Sequence, residues 1–241
     1  MIKVILIFLL LILISIVFLV YEEDGIASSL IPLNRESRTV ENVIEKYGVA
    51  ANARLSPYFK KAKIAYPPKA VMLLALKQEK SLELWAKNQG DYTFIRRYPI
   101  AKLSGKAGPK LKEGDKQVPE GAYAITWLHP NSSYHLSMKL NYPNAFDLLH
   151  AVEEKREDVG SDIFIHGKAV SIGCLAMGDT IIEELFVLST AVGIENIKVL
   201  IAPVDPRIHT LKYDKNTQAA WVKELYQMLH REFKPFVKKA M

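Results

Sequence analysis

The chain has 241 residues, 49% of them apolar and 24% charged, with a formal net charge of +6. That is a globular composition of one or two domains, large enough to bury a core without covalent staples. A single cysteine excludes an internal disulfide and any cysteine-based zinc cluster. The six histidines, at 129, 135, 150, 166, 209 and 230, show no His-x-x-x-His or His-Glu-x-x-His spacing, and neither a phosphate loop nor a dinucleotide fingerprint occurs, so no metal and no cofactor is expected.

Lys3 precedes an apolar stretch over residues 4–21, broken only by Ser15 and closed by Glu22-Glu23-Asp24. As a helix this stretch rises about 27 Å, close to the thickness of a hydrocarbon core. Its acidic exit and the poor cleavage-site match of Gly25-Ile26-Ala27 favour an uncleaved anchor over a removed signal peptide. Residues 1–25 are therefore predicted to be an N-terminal transmembrane helix. The positive-inside rule keeps Lys3 cytoplasmic and puts the rest of the chain outside the membrane, which in a bacterium is the cell envelope.

Residues 26–68 read as a tether followed by a helical extension. Ser37 is placed to cap a helix starting near Arg38, and a second helix over about 50–62 carries Leu55 and Phe59 until Pro67-Pro68 stop it. Residues 69–207 have strand texture. The apolar run 71–76 and the alternating run 82–85 flank a polar turn, and 92–98, 123–127, 134–140, 163–166 and 197–201 are further strands. The Gly-, Lys- and Pro-rich stretch 104–119 reads as a long surface loop. Thr180 and Glu183 have capping-box spacing for a helix bearing Ile181, Leu185, Leu188 and Val192. A C-terminal helix within 208–241, over about 216–233, buries Ala220, Trp221, Leu225, Met228 and Leu229. The fold class is mainly β with flanking helices.

Between Lys60 and Lys116 there are 14 basic and 5 acidic side chains. No recognised nucleic-acid motif accompanies this excess, so nucleic acid is not an expected partner. Two readings stay open: a solvated lysine-rich face, or a surface for an extracytoplasmic polyanion such as cell-wall glycan-peptide or lipid.

The chemistry concentrates in residues 163–174, where the apolar run Ile163-Phe164-Ile165 ends in His166-Gly167 and the sole cysteine, Cys174, follows eight positions after the histidine. A thiol attacks as thiolate, and an imidazole can take its proton and return it to a leaving amine. Gly173 beside the thiol would let a backbone N–H approach a substrate carbonyl, and the start of the following capped helix would favour a thiolate. Taken alone, each residue also has a plain structural reading: a small buried hydrophobe and a polar strand end.

Pro119-Glu120-Gly121, His166-Gly167 and Ser171-Ile172-Gly173-Cys174, together with Ser104–Lys110, Glu113-Gly114-Asp115, residues 141–147 and Gly-Cys-Leu-Ala-Met, make the chain resemble the L,D-transpeptidase (YkuD-type) catalytic domain, in its YafK-like branch. The resemblance covers about residues 70–206. It implies a β-sandwich or barrel-like domain in which a cysteine attacks a peptide-stem carbonyl of peptidoglycan. By matching position, Cys174 would be the nucleophile and His166 its base. The backbone N–H groups of Gly173 and Cys174 would face the oxyanion, and Ser171 would orient the imidazole or line the pocket. Gly167, Tyr142, Asn144 and Asp147 would be substrate contacts, the last three having a simple turn as their other reading. Ile172 stands where the commoner motif has histidine, and Ala176 where it often has Arg or Asn.

The expected activity is transfer of a stem acyl group to an amine. The alternatives are a hydrolase of the same family that cuts stems or a peptidoglycan–lipoprotein link, a generic cysteine peptidase, and, in another class, an inactive peptidoglycan-binding module. The expected partners are peptidoglycan stems, a wall-linked lipoprotein, and the membrane through the N-terminal helix.

Overall fold

The computed structural model describes residues 37–216 and 218–237. The expected transmembrane segment and the tether lie outside these; among the described residues no helix is long and apolar enough to cross a membrane.

Helix α1, Val40–Ala62, is one element where the sequence reading expects two. Gly48 does not interrupt it, because the apolar stripe Val43, Gly48, Ala51, Leu55, Phe59 keeps helical register through it and stays buried. Its cap is Thr39 rather than Ser37, with Asn42 completing a capping box, and it ends in left-handed Lys63, ahead of the two prolines.

Strands β1 (Ala70–Leu76), β2 (Ser81–Lys87), β3 (Thr93–Pro99), β4 (Gly121–His129), β5 (Ser137–Leu140), β6 (Phe164–His166), β7 (Leu175–Ala176) and β8 (Ile197–Ala202) form one sheet in the order β3-β2-β1-β8-β4-β5-β6-β7. The chain therefore folds as a half-barrel with flanking helices, not as two stacked sheets. The bend lies in β4. Its first residues, Gly121–Ala124, pair with β8, and from Ile125 onward it pairs with β5 instead. Between Ile125 and Trp127 the register shifts, so that two steps on β4 oppose one on β5. Such a bulge bends a strand and re-aims the side chain that follows.

Strand β1 shows why the first half of the sheet is stable. Val71, Leu73 and Ala75 face the larger core with α1 and with α3, Asp179–Val192, while Met72, Leu74 and Leu76 face a second core. Helix α4, Trp221–Phe233, closes that second core with Val222, Leu225, Tyr226, Leu229 and Phe233. It starts later than the sequence suggests, and Ala220 is exposed rather than part of the stripe.

Three elements have no counterpart in the sequence reading: β7, the helix α2, Ala145–Glu153, and a single 3₁₀ turn, Ile194–Asn196. The expected surface loop 104–119 is only partly on the surface. Its end turns inward, with Gln117 and Val118 buried and Glu120 buried just after it, because the buried Lys77 ammonium gathers this stretch by donating to Gly108 O, Val118 O and Glu120 Oε1 at 3.0, 2.8 and 2.9 Å.

Candidate active site

His166 ends β6 and is nearly sealed, 2% exposed, with the Tyr134 ring 4.6 Å away. Its Nδ1 lies 2.6 Å from Gly167 O. A carbonyl only accepts, so Nδ1 carries the proton and the neutral ring keeps its free lone pair on Nε2. Burial pushes the imidazole below its ordinary pKa, while the hydrogen bond to Gly167 O opposes that shift. Glycine at 167 is a requirement of space: a Cβ there would sit 2.6 Å from Tyr134 O and 2.7 Å from Asp179 Oδ1. That close approach lets the chain turn from β6 and present its carbonyl to the ring.

Cys174 immediately precedes β7 and is half-buried. Its sulfur accepts from Phe164 N at 3.4 Å and faces Asp162 O at 3.7 Å. No hydrogen bond joins Sγ to the His166 ring. Strands β6 and β7 run parallel with His166 opposite Ala176, and Cys174 stands in the bend just before β7, two residues ahead of the partner of the imidazole.

The expected helix-start environment of the thiol is not found. Helix α3 begins at Asp179 with Gly178 as its uncapped N-cap, and Leu175–Gly178 separate it from the sulfur. Thr180 already lies inside the helix, so it cannot cap; the Glu183 carboxylate is held by Arg54 at 3.2 Å and His135 at 3.0 Å. With no helix dipole to favour a thiolate, desolvation prevails and the thiol is pushed above its ordinary pKa, against the pull of the Phe164 N–H.

Ser171 braces the loop rather than the imidazole. Its hydroxyl donates to Cys174 O at 2.7 Å, lies 3.2 Å from Ser104 Oγ and receives Gly173 N–H at 3.3 Å. One of the two expected oxyanion donors is thus engaged within the loop. The other, Cys174 N–H, has no hydrogen-bond partner among the described residues. Gly173 has φ +136°, a conformation side-chain-bearing residues rarely adopt, which explains glycine beside the thiol.

The remaining sequence candidates hold the fold together. Asn144 caps α2, accepting from Phe146 N and Asp147 N, while Asp147 accepts from Asn144 N at 3.0 Å, a capping box legible as Asn-x-x-Asp. Burial lifts the Asp147 carboxyl to about 6. Tyr142 is 4% exposed and its hydroxyl donates to Val159 O at 2.8 Å. No group of three or more His, Cys, Asp or Glu side chains that could hold a metal ion occurs among the described residues.

A half-buried thiol, a tautomer-fixed imidazole on the neighbouring strand and an unengaged backbone N–H thus lie at one end of the sheet. The sequence profile of the L,D-transpeptidase catalytic domain matches residues 71–199, more than half of the chain, and the chain belongs to that family. Among curated proteins it is similar to "Putative L,D-transpeptidase YafK" of Escherichia coli, in strains K12 and O157:H7. The identity is 33% over 160 residues, spanning 64% of this chain and 63%, just under two thirds, of the relative. Among solved structures it is similar to the helical cell shape determining protein Pgp2 of Campylobacter jejuni, with TM-score 0.47, 17% identity and 79% of each chain covered. It is also similar to L,D-transpeptidase 1 of Mycobacterium tuberculosis, with TM-score 0.33, 12% identity and 55% and 62% covered.

Proposed function

We propose that this chain is a peptidoglycan-modifying enzyme in which Cys174 forms a thioester with a peptide stem and passes the acyl group to an amine. The observation that carries this reading is a half-buried thiol just before β7 beside the neighbouring strand β6, which ends in an imidazole whose free nitrogen, Nε2, is set by Gly167 O.

With the thiol pushed up and the imidazole pushed down, the resting pair is neutral, so proton transfer accompanies attack rather than preceding it. Rotation about the Cys174 Cα–Cβ bond brings sulfur from Phe164 N towards the ring and substrate. Nε2 takes the S–H proton as sulfur bonds to the stem carbonyl carbon, and the oxyanion is received by Cys174 N–H. Collapse breaks the carbonyl–nitrogen bond, and the leaving amine departs with the proton from Nε2. An acceptor amine then attacks the thioester carbonyl and gives its proton to Nε2, which returns it to the departing thiolate. Water in place of the amine makes the same site a hydrolase of stems or of a peptidoglycan–lipoprotein link. The work is done in the bacterial cell envelope, with residues 4–21 as the membrane anchor.

Incubation of the full chain with muropeptides, followed by mass resolution of the products, tests this. New cross-linked dimers support transfer, and shortened stems alone support hydrolysis. No change in the muropeptides, with no carbapenem adduct on the intact protein, overturns both in favour of an inactive wall-binding module. The acylation rate is expected to rise with pH only as the imidazole loses its proton, below its ordinary range, and to stay level through neutral pH, because the unprotonated base and the protonated thiol are both already in place there.

A further inference from the structure

The register of the second half of the sheet lays out a line of side chains leading away from the thiol. Trp127 of β4 is opposite Lys139 of β5, and Lys139 is opposite Phe164 of β6. Cys174, in the bend just before β7, lies beside Phe164, whose N–H reaches the sulfur at 3.4 Å. Residues opposite one another in a ladder point to the same face. The neighbouring positions Met138, Ile165 and Leu175 are all fully buried on the core side, which leaves this line on the open side.

Trp127 is on that side only because of the bulge in β4. Tyr123 and Ile125 point into the core, and strict alternation would send Trp127 after them; the register shift turns it outward. Its ring is not loose. His129 stacks on it at 4.2 Å between centroids and 22° between planes, so one indole face is backed, while the residue stays 47% exposed. A large, oriented aromatic ring with a free face suits stacking against the apolar face of a sugar ring.

The distance gives the occupant. Trp127 and Cys174 are three strand spacings apart, roughly 14 Å along the sheet. At ~3.3–3.6 Å per extended residue this is the reach of about four residues, which is the length of a short stem running from a scissile carbonyl back to its glycan. Lys139 lies midway, its Nζ 5.9 Å from the Phe164 ring centroid and 2.6 Å from Asp162, and puts a cation where the stem crosses.

We propose that Trp127 is a glycan-stacking subsite, so that the protein selects stems still attached to their sugar. This rests on the cell-wall substrate of the reading above and names the part of it that is held farthest from the chemistry. Trp127 is here a binding residue, not a catalytic one.

The test is calorimetric titration of the full chain carrying Cys174→Ala, which binds without turnover, with two ligands: a disaccharide-linked tetrapeptide stem and the same stem without sugar. The sugar-linked stem is expected to bind roughly five- to tenfold tighter. Adding Trp127→Ala erases that ratio while leaving the sugar-free stem unaffected, and Trp127→Phe retains most of it. Equal affinity for the two stems overturns the proposal, as does a ratio that survives Trp127→Ala or a loss that falls equally on both ligands. Failure of the catalytic reading looks different: the chain with Cys174 intact forms no thioester or carbapenem adduct, whether or not sugar is preferred. A chain that forms adducts without sugar preference keeps the catalytic reading and loses this one.

Discussion

In β1 every residue from Val71 to Leu76 is buried, between α1 and α3 on one side and α4 on the other. In β5, β6 and β7, which are four, three and two residues long, one side meets the core and the other carries Lys139, Phe164 and His166, with Cys174 in the bend before β7. The first region leaves few groups in want of a partner, and even its charges are enclosed. Glu83, fully buried, is held by Arg97, Arg207 and Trp85 Nε1, and Glu184 by Arg54, Arg96 and Tyr98. The second region keeps a lone pair on His166 Nε2, a free N–H on Cys174 and a half-open sulfur. Short strands can hold such unsatisfied groups because the long ones beside them carry the stability.

Substitutions can pull the two regions apart. Cys174→Ala is expected to lower turnover on muropeptides by about 10⁴-fold or more, while the melting temperature stays near that of the parent chain. Glu83→Gln should do the reverse, costing about 3–5 kcal/mol by unbalancing a buried ion cluster and sparing activity per folded molecule. Burial alone would raise the Glu83 carboxyl, but hydrogen bonds from Arg207, Arg97 and Trp85 outweigh it and hold the group near about 2 against an ordinary 4.5. A carboxyl depressed on folding contributes stability that is full above its unfolded value and is lost as pH falls from there towards the folded one. Urea titrations between pH 5 and pH 2 should therefore show a steep loss in the parent chain and a flatter one in the Gln variant.

Leu84→Ala, in a fully buried position of β2, should cost about 2–5 kcal/mol with unchanged turnover by the folded fraction. Gly167→Ala is the mildest and crosses between the regions. The new methyl meets Tyr134 O and Asp179 Oδ1, displaces the carbonyl that orients His166, and should cut turnover roughly 10–100-fold with a smaller loss of stability, read from kcat and thermal melts of one preparation. Equal damage to folding and turnover in all four variants would dissolve the division.

The same division governs what the amino-acid order made legible. Strands β1, β2, β3 and β8 stand out as apolar or alternating runs because burial dictates their residues one by one. Strand β7 does not, since two residues carry no period. Helix α2 was hidden behind the turn residues Tyr142-Pro143-Asn144, although its capping box was in plain view. Helix α1 read as two pieces that its continuous apolar stripe joins, and Thr180 suggested a cap two residues too late. The histidine and cysteine were readable because their chemistry is rare and their spacing short. The sulfur's raised pKa was not, because it follows from burial that only the packed fold creates. The outward turn of Trp127 was not either, because a bulge is a property of two strands together and alternation along β4 alone points that side chain inward.

The desolvated sulfur beside Phe164 N has a consequence for the protein at rest. Peroxides and disulfides react with the ionised form of a thiol far faster than with the protonated one, and a group held above its ordinary pKa is seldom ionised at neutral pH. The chain's one cysteine is therefore slow to react with adventitious oxidants while its sulfur stays in this buried position. In the reaction proposed above, shelter from chemical ageing and readiness for attack would be two rotamers of a single side chain.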